Sequence, residues 1–373
     1  MYSYIMEIRK LTFQNFRNLE NSYIEPNNEI NLIYGNNAQG KTNLLESLWL
    51  FTGGHSFRGN KDNQLPKIID QKNSKIASLK ANFYANQREQ WAILNIENGK
   101  RNSIINGVEK KTGSALVGKI CAVIFSPEHL MLIKEGPSFR RTFIDAAICQ
   151  IEPSYPKLLS KYNRVIMQRN ALLRQIQTDN SLEYMLDIWN ERAVTFGCEI
   201  INKRIKYAQN LNNKAKEIYF GISGQKENFN IEYKPLSLNA SEYLENPKEK
   251  YINALKRTNK SDLRLGITSI GPHRDDCEIF INNLEARTYG SQGQQRSAVI
   301  ALKLAEAEIL EENIGETPII LLDDVMSELD NERQSFILNK LTGKQIFITC
   351  CSPETINLMD KGKMFHVKNG EIN

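Results

Sequence analysis

The sequence predicts an α/β protein: a head with a mixed sheet and an antiparallel β subdomain, interrupted by an inserted α-helical arm. Three observations carry this. INLIY (30–34), IILLD (319–323) and IFITC (346–350) are nearly all apolar, as strands of a parallel sheet covered on both faces must be. Residues 75–110 alternate apolar and polar instead, with turn dipeptides between short runs, the pattern of an antiparallel meander. From about residue 155 the apolar positions recur with a period near 3.5, which suits long paired helices.

Taken in order, EIRKLTFQNF and INLIY read as two strands separated by a loop. KIASLKANFYA, QWAILNIENG and RNSIINGVE follow, punctuated by Asn98-Gly99 and Asn106-Gly107, dipeptides suited to hairpin turns with positive φ. CAVIF is a further strand ending at Ser126-Pro127. Leu158, Tyr162, Val165, Leu172 and Ile176 step by fours and threes if Arg169 fills one position of the seam, and Ile201, Ile205, Ala208, Ala215 and Tyr219 continue it. These form two antiparallel helices joined near QTDNS, or else the buried stripes of an ordinary bundle. Strand character returns at RLGITSIGPHRDDCEIFIN; a helix follows SQGQQ; TPIILLDDV is a buried strand, NERQSFILNKL a short helix, and QIFITC the last core strand before a small hairpin. The expected division is 1–130 for the N-terminal part of the head, 131–260 for the arm with its coiled-coil-like hairpin, and 261–373 for the C-terminal part of the head.

A chain of 373 residues has room for two or three domains with cores of their own. With 41% hydrophobic and 24% charged residues its composition is that of a soluble globular protein, and no apolar run approaches the roughly 18 residues of a membrane span. MYSYIMEIRKLTFQNF lacks the apolar core of a signal peptide, so a cytoplasmic location is expected. The six cysteines, Cys121, Cys149, Cys198, Cys277, Cys350 and Cys351, show neither CxxC nor zinc-ligand spacing, which points to reduced thiols. A net charge of +5 permits nucleic-acid binding without requiring it.

GNNAQGKT, which is Gly35, Asn36, Asn37, Ala38, Gln39, Gly40, Lys41 and Thr42, fits GxxxxGK[ST] between a predicted strand and a predicted helix. Backbone N–H groups and the helix N-terminus would surround a phosphate chain, with glycines supplying conformations that side chains forbid. Lys41 would face the outer phosphates of ATP and Thr42 would bind Mg2+. Such a loop needs a carboxylate from a neighbouring strand, and Asp323 ends the apolar run Ile319–Asp323. The adjacent Asp324 is then free to polarise the attacking water as general base; capping the next turn is its plainer role.

The stretch SQGQQRS narrows the class. Ser291, Gly293 and Gln294 stand in the order Ser-x-Gly-Gln, immediately before a long amphipathic helix, so Ser291 is placed to receive an anion at a helix N-terminus. MSELD (326–330) follows the acidic strand as the D-loop does in ABC-type ATPases. The fold class is therefore α/β, an ABC-type P-loop ATPase head with a mixed sheet and an antiparallel β subdomain, plus the inserted arm. Two departures matter. Asp324 occupies the position where transporter ATPases carry glutamate, and QIFITC offers Thr349 or Cys350 in place of a histidine. Both predict slow turnover.

The set FQNFRNLE, YGNNAQGKTNLLE, SFRG, VIFSPEHLMLIKEGPSFRRTFID, TSIGPHRDD, YGSQGQQRS and LLDDVMSELD resembles the RecF family of bacterial recombination-repair ATPases over essentially the whole chain. The resemblance implies an ATP-dependent DNA-binding protein that recognises gapped or junction DNA. It also implies work with RecR and RecO, and help in loading RecA for gap repair and the damage response. The motifs suggest a homodimer in which Ser291 of one chain contacts the phosphate held by Lys41 of the other, over a basic cleft for DNA, be it duplex, single strand or junction. A transporter ATPase subunit and a DNA-binding scaffold without useful ATPase activity are the alternatives.

GPHRDD (271–276) cannot converge on one metal or phosphate if it is a strand, because successive side chains alternate; a structural and head-to-arm role is expected. Arg58, Lys110, Lys111, Arg140 and Arg141 are candidate DNA contacts, with Lys157, Lys161, Arg164, Arg169 and Arg174 extending the basic surface.

Overall fold

A computed structural model describes residues 4–70, 73–74, 76–352 and 362–373. It comprises two compact units, Met1–His129 with Ile300–Asn373, and Leu130–Val299.

In the first unit, Ala122–Phe125, Ile319–Asp323, Ile346–Cys350, Ile30–Tyr34 and Gly362–Lys368 lie side by side in that order, all parallel. Glu371–Ile372 closes the edge as an antiparallel hairpin partner of Gly362–Lys368. Ile319–Asp323 and Ile346–Cys350 are buried at every position, which explains why these strands lack alternation. Their register sets Asp323 opposite Thr349, and Thr349 opposite Ile33. The carboxyl ends of three strands thus meet where the glycine-rich loop begins.

The meander forms the second sheet, ordered Val108–Lys110, Lys100–Ile105, Arg88–Glu97, Ala77–Ala85, Glu7–Gln14 and Ser22–Ile24. Its turns use Asn98, Gly99, Asn106 and Gly107, all with positive φ, which gives a two-residue connection the twist of its flanking strands. Its inner face shares one core with Leu44, Leu45 and Leu48 of the helix Lys41–Trp49 and with Ile33, Leu321 and Phe347. The strand Ser22–Ile24 has no counterpart in the sequence reading, because three residues are too few to display a period.

In the second unit, Tyr155–Ile176 and Leu186–Ile222 are antiparallel: Arg169 meets Asn190, Gly197 lies against Tyr162, and Lys203 pairs with Glu152. Leu158, Tyr162, Val165, Arg169, Leu172 and Ile176 are all buried, as are Ile201, Ile205, Ala208, Ala215 and Tyr219. A third helix, Pro247–Leu265, packs beside them. It explains the arginine in the seam: Arg169 Nη1 donates to Asp262 Oδ2 at 2.8 Å and to Thr268 Oγ1 at 2.8 Å, and Nε donates to Asn190 Oδ1 at 2.9 Å. Both partners of this ion pair are wholly buried. Removing one leaves an uncompensated charge, so Asp262→Ala should cost about 3–5 kcal/mol in urea unfolding. Arg169→Met combined with Asp262→Leu should cost clearly less.

This unit runs past residue 260 because Phe229–Lys234 pairs antiparallel with Asp276–Ile281. The strand expected across 264–282 is confined to Asp276–Ile281. Before it the chain turns at Gly271, whose carbonyl accepts from Arg274 N at 2.7 Å and from Asp275 N at 3.2 Å. GPHRDD is the hub of a buried polar network: Asp275 accepts from Tyr233 Oη and Leu236 N, while His273 contacts Tyr162 Oη and the Thr268 carbonyl. Its role there is structural, though loop geometry rather than strand alternation separates its side chains.

Candidate nucleotide site

The loop between Tyr34 and the helix Lys41–Trp49 needs glycine where it begins. Gly35 has φ of 149°, and a Cβ there would lie 2.2 Å from the Val367 carbonyl oxygen, so any side chain would collide with backbone. Asn18 braces the loop from below, accepting from Asn43 Nδ2 at 2.6 Å and donating to the Ala38 carbonyl at 3.4 Å. Lys41 is buried, and its Nζ donates to the carbonyls of Gly35 at 2.7 Å and Asn36 at 3.1 Å. The ammonium is therefore held across the loop. Residues 37–43, with Arg58 and Asp324, line a cavity of about 430 Å³.

Asp323 stands at the loop's inner side. Its Oδ1 accepts from Thr42 Oγ1 at 2.9 Å and from Thr349 Oγ1 at 2.8 Å. Burial pushes its pKa up to about 6, although both hydroxyls oppose that rise. Asp324 takes φ of 52°, a left-handed conformation that Asp and Asn tolerate better than most residues. Its N–H donates to Thr349 Oγ1 at 2.9 Å. This turn separates two consecutive carboxylates, with Asp323 on the threonines and Asp324 on the cavity wall.

Thr42 and Asp323 fit a magnesium ion. An oxygen-only pair of one hydroxyl and one carboxylate is what this cation takes when phosphate and water complete its shell, and the two oxygens already lie within 2.9 Å of each other. Bound there, the ion would offset phosphate charge. Thr349 answers to Asp323 and Asp324, and Cys350 is buried with its thiol pushed up to about 11. Neither is free to act as the missing histidine. The first exposed side chain beyond the strand is Cys351, whose Sγ lies 3.1 Å from Asn37 Oδ1 and 3.9 Å from Lys41 Nζ.

In the second unit, Ser291 precedes the helix Gln292–Ile314. Its N–H donates to Gln294 Oε1 at 2.8 Å while its Oγ accepts from Gln294 N at 3.2 Å, a reciprocal cap. Gln294 Nε2 also donates to Glu227 Oε1 at 2.6 Å. Ser291 is exposed and Gly293 half-buried.

The DNA candidates fare unequally. Arg140 is buried and spent: it binds Asp276 through two nitrogens at 2.8 and 3.0 Å, and Nη1 donates to the carbonyls of Leu132 and Glu135. Four of its five N–H donors are thus held within the unit, so it offers a phosphate less than the exposed cations do. Arg141 is half-buried and donates to the Asp275 carbonyl. Arg58 lies on the loop cavity, its Nη1 3.1 Å from Asn43 Oδ1. Lys110 and Lys111 are exposed at the end of the meander.

The family described as "RecF/RecN/SMC N terminal domain" matches residues 7–373. A DNA replication and repair protein RecF from Clostridium botulinum (strain ATCC 19397 / Type A) is 40% identical over 98% of this chain and 99% of its own length. The chain belongs to the RecF family. The RecF of Clostridium acetobutylicum is also 40% identical, over 98% of this chain and 99% of its own. A solved RecF with ATP, the recombination mediator protein in the RecFOR pathway, superposes with a TM-score of 0.91 at 37% identity, covering 100% of this chain and 98% of that one. The Smc head domain of Pyrococcus furiosus, at TM-score 0.55 and 16% identity over 99% of this chain and 96% of that one, shares the fold alone. Membership of the RecF family sets aside the transporter alternative. Among the described residues no helix is long and apolar enough to cross a membrane.

Proposed function

We propose that the chain is an ATP-driven DNA-binding protein of replication and gap repair, with a slow ABC-type ATPase as its timer. The observation that carries this is the meeting of Lys41, Thr42, Asp323 and Asp324 about one loop, together with RecF relatives that include an ATP-bound structure. ATP binds with its outer phosphates on Lys41 and the loop amides. Thr42 and Asp323 hold Mg2+, and Asp324 orients and deprotonates the attacking water. Two chains then close, the exposed Ser291 of each completing the phosphate site of the other through Gly293 and Gln294. The closed dimer retains DNA; hydrolysis releases it. RecR and RecO are the partners that the RecFOR relatives suggest, with RecA loading as the downstream event.

Ser291→Arg tests this reading. The loop that binds ATP is elsewhere in the chain, so ATP affinity should remain within about twofold of the parent, while ATP-dependent dimers and ATP-dependent DNA retention are lost. Normal dimers from this variant, seen by light scattering, would refute a site shared between chains.

A further inference from the structure

The positive charge of this protein is concentrated in one unit. Leu130–Val299 carries 25 Lys and Arg against 19 Asp and Glu, whereas the rest of the chain carries 23 against 24. Within that unit it gathers on two neighbouring helices. Tyr155–Ile176 contains no Asp or Glu, and beyond Glu249 the helix Pro247–Leu265 contains one, Asp262, which is buried against Arg169. The two helices run parallel, since Tyr162 meets Tyr251, Arg169 meets Asp262, and Gln177 meets the carbonyls of Leu263 and Arg264.

Lys157, Lys161 and Arg164 are exposed at steps of four and three on the first of these helices. Arg257, Lys260 and Arg264 are exposed at steps of three and four on the second. Each triplet therefore forms a single stripe about 10 Å long. Among the described residues, no carboxylate is ion-paired with any of the six. The neighbouring Leu186–Ile222 is different: there Glu191, Glu199 and Glu217 are exposed among Lys206 and Lys216, the mixture of signs expected of a solvated helix face.

We propose that the outer faces of Tyr155–Ile176 and Pro247–Leu265 form the surface on which this unit holds the sugar-phosphate backbone of duplex DNA. Two cationic stripes free of anions match a polyanion with one phosphate per about 3.4 Å of axis on each strand. The aromatic residues of the two helices, Tyr155, Tyr162 and Tyr251, are all buried. Phe196 of Leu186–Ile222 is half-buried with its ring centre 5.8 Å from Lys161 Nζ, but the two helices themselves present charge without exposed rings for unstacked bases, which favours duplex over single strand and contact without sequence preference. This assignment rests on the DNA-binding reading above and adds to it where the backbone lies.

The test is fluorescence anisotropy with a duplex of about 30 base pairs and MgATP, across a salt series. Lys161→Glu with Lys260→Glu should weaken binding at least tenfold and reduce the log–log salt slope by about 2, near 0.9 per lost contact. ATP binding and ATP-dependent dimerisation should be unchanged. Lys161→Gln with Lys260→Gln should give the same slope change with a smaller loss. Lys206→Glu with Lys216→Glu alters net charge equally on the mixed helix and should change affinity less than threefold. The inference alone is overturned if the first pair binds duplex like the parent, if the control pair loses as much, or if a single strand of equal length binds the parent as tightly. A parent that binds no DNA with or without MgATP would overturn the functional reading, and this surface with it.

Discussion

Lys41→Ala should abolish measurable ATP binding. In the structure the ammonium spans the loop through Gly35 O and Asn36 O, poised to exchange carbonyl partners for phosphate oxygens. Hydrogen bonds to charged groups are worth about 1.5–3 kcal/mol each, so losing two from the outer phosphates lowers affinity by roughly 10²–10⁴-fold. Folding should survive, because the core beneath the loop is held by Leu44, Leu45 and Leu48 and the substitution leaves Gly35 at its place beside Val367. Titration of a fluorescent ATP analogue reads the effect. Unchanged affinity would show that Lys41 does not face the phosphates.

Asp324→Asn should separate hydrolysis from binding. Asn tolerates the left-handed conformation at φ 52° as well as Asp does, and the Asp324 N–H bond to Thr349 is a backbone donor that the substitution leaves alone. Shape is retained and basicity is lost. ATP should still bind and two chains should still close, while turnover falls by about 10²–10⁴-fold and the closed dimer outlives that of the parent. Asp323→Asn should differ by weakening magnesium binding and so closure itself. Phosphate release at the parental rate from Asp324→Asn would place the activation of water on another residue.

The parts legible in the sequence were those written in local pattern. A five-residue apolar strand, a glycine where a side chain would meet Val367, and Asn-Gly between alternating runs each state their structure within a few positions. Even Arg169 was readable as a seam residue from its spacing. Its reason was not, because Asp262 lies 93 residues away and no period links the two. A separation of 136 residues likewise hid the tie between Arg140 and Asp276, which gives a candidate DNA contact a part-buried carboxylate partner. Thr349 stands where the sequence could place a stand-in for a histidine; only the register of Ile346–Cys350 against Ile319–Asp323 brings its hydroxyl to Asp323. Asn18 and Arg58 stand in FQNFRNLE and SFRG, segments whose residues do not by themselves state a role at the nucleotide loop, which they reach by folding. Chemistry that depends on spacing was visible, and chemistry that depends on long-range pairing was not.

The central claim is that ATP held at Lys41 joins two chains. The direct measurement is solution mass by light scattering with and without MgATP, at chain concentrations where the nucleotide-free protein is a monomer. A doubling on adding MgATP, reversed as ATP is consumed and missing in Lys41→Ala, is the predicted result. A mass that stays at one chain under saturating MgATP would contradict the account.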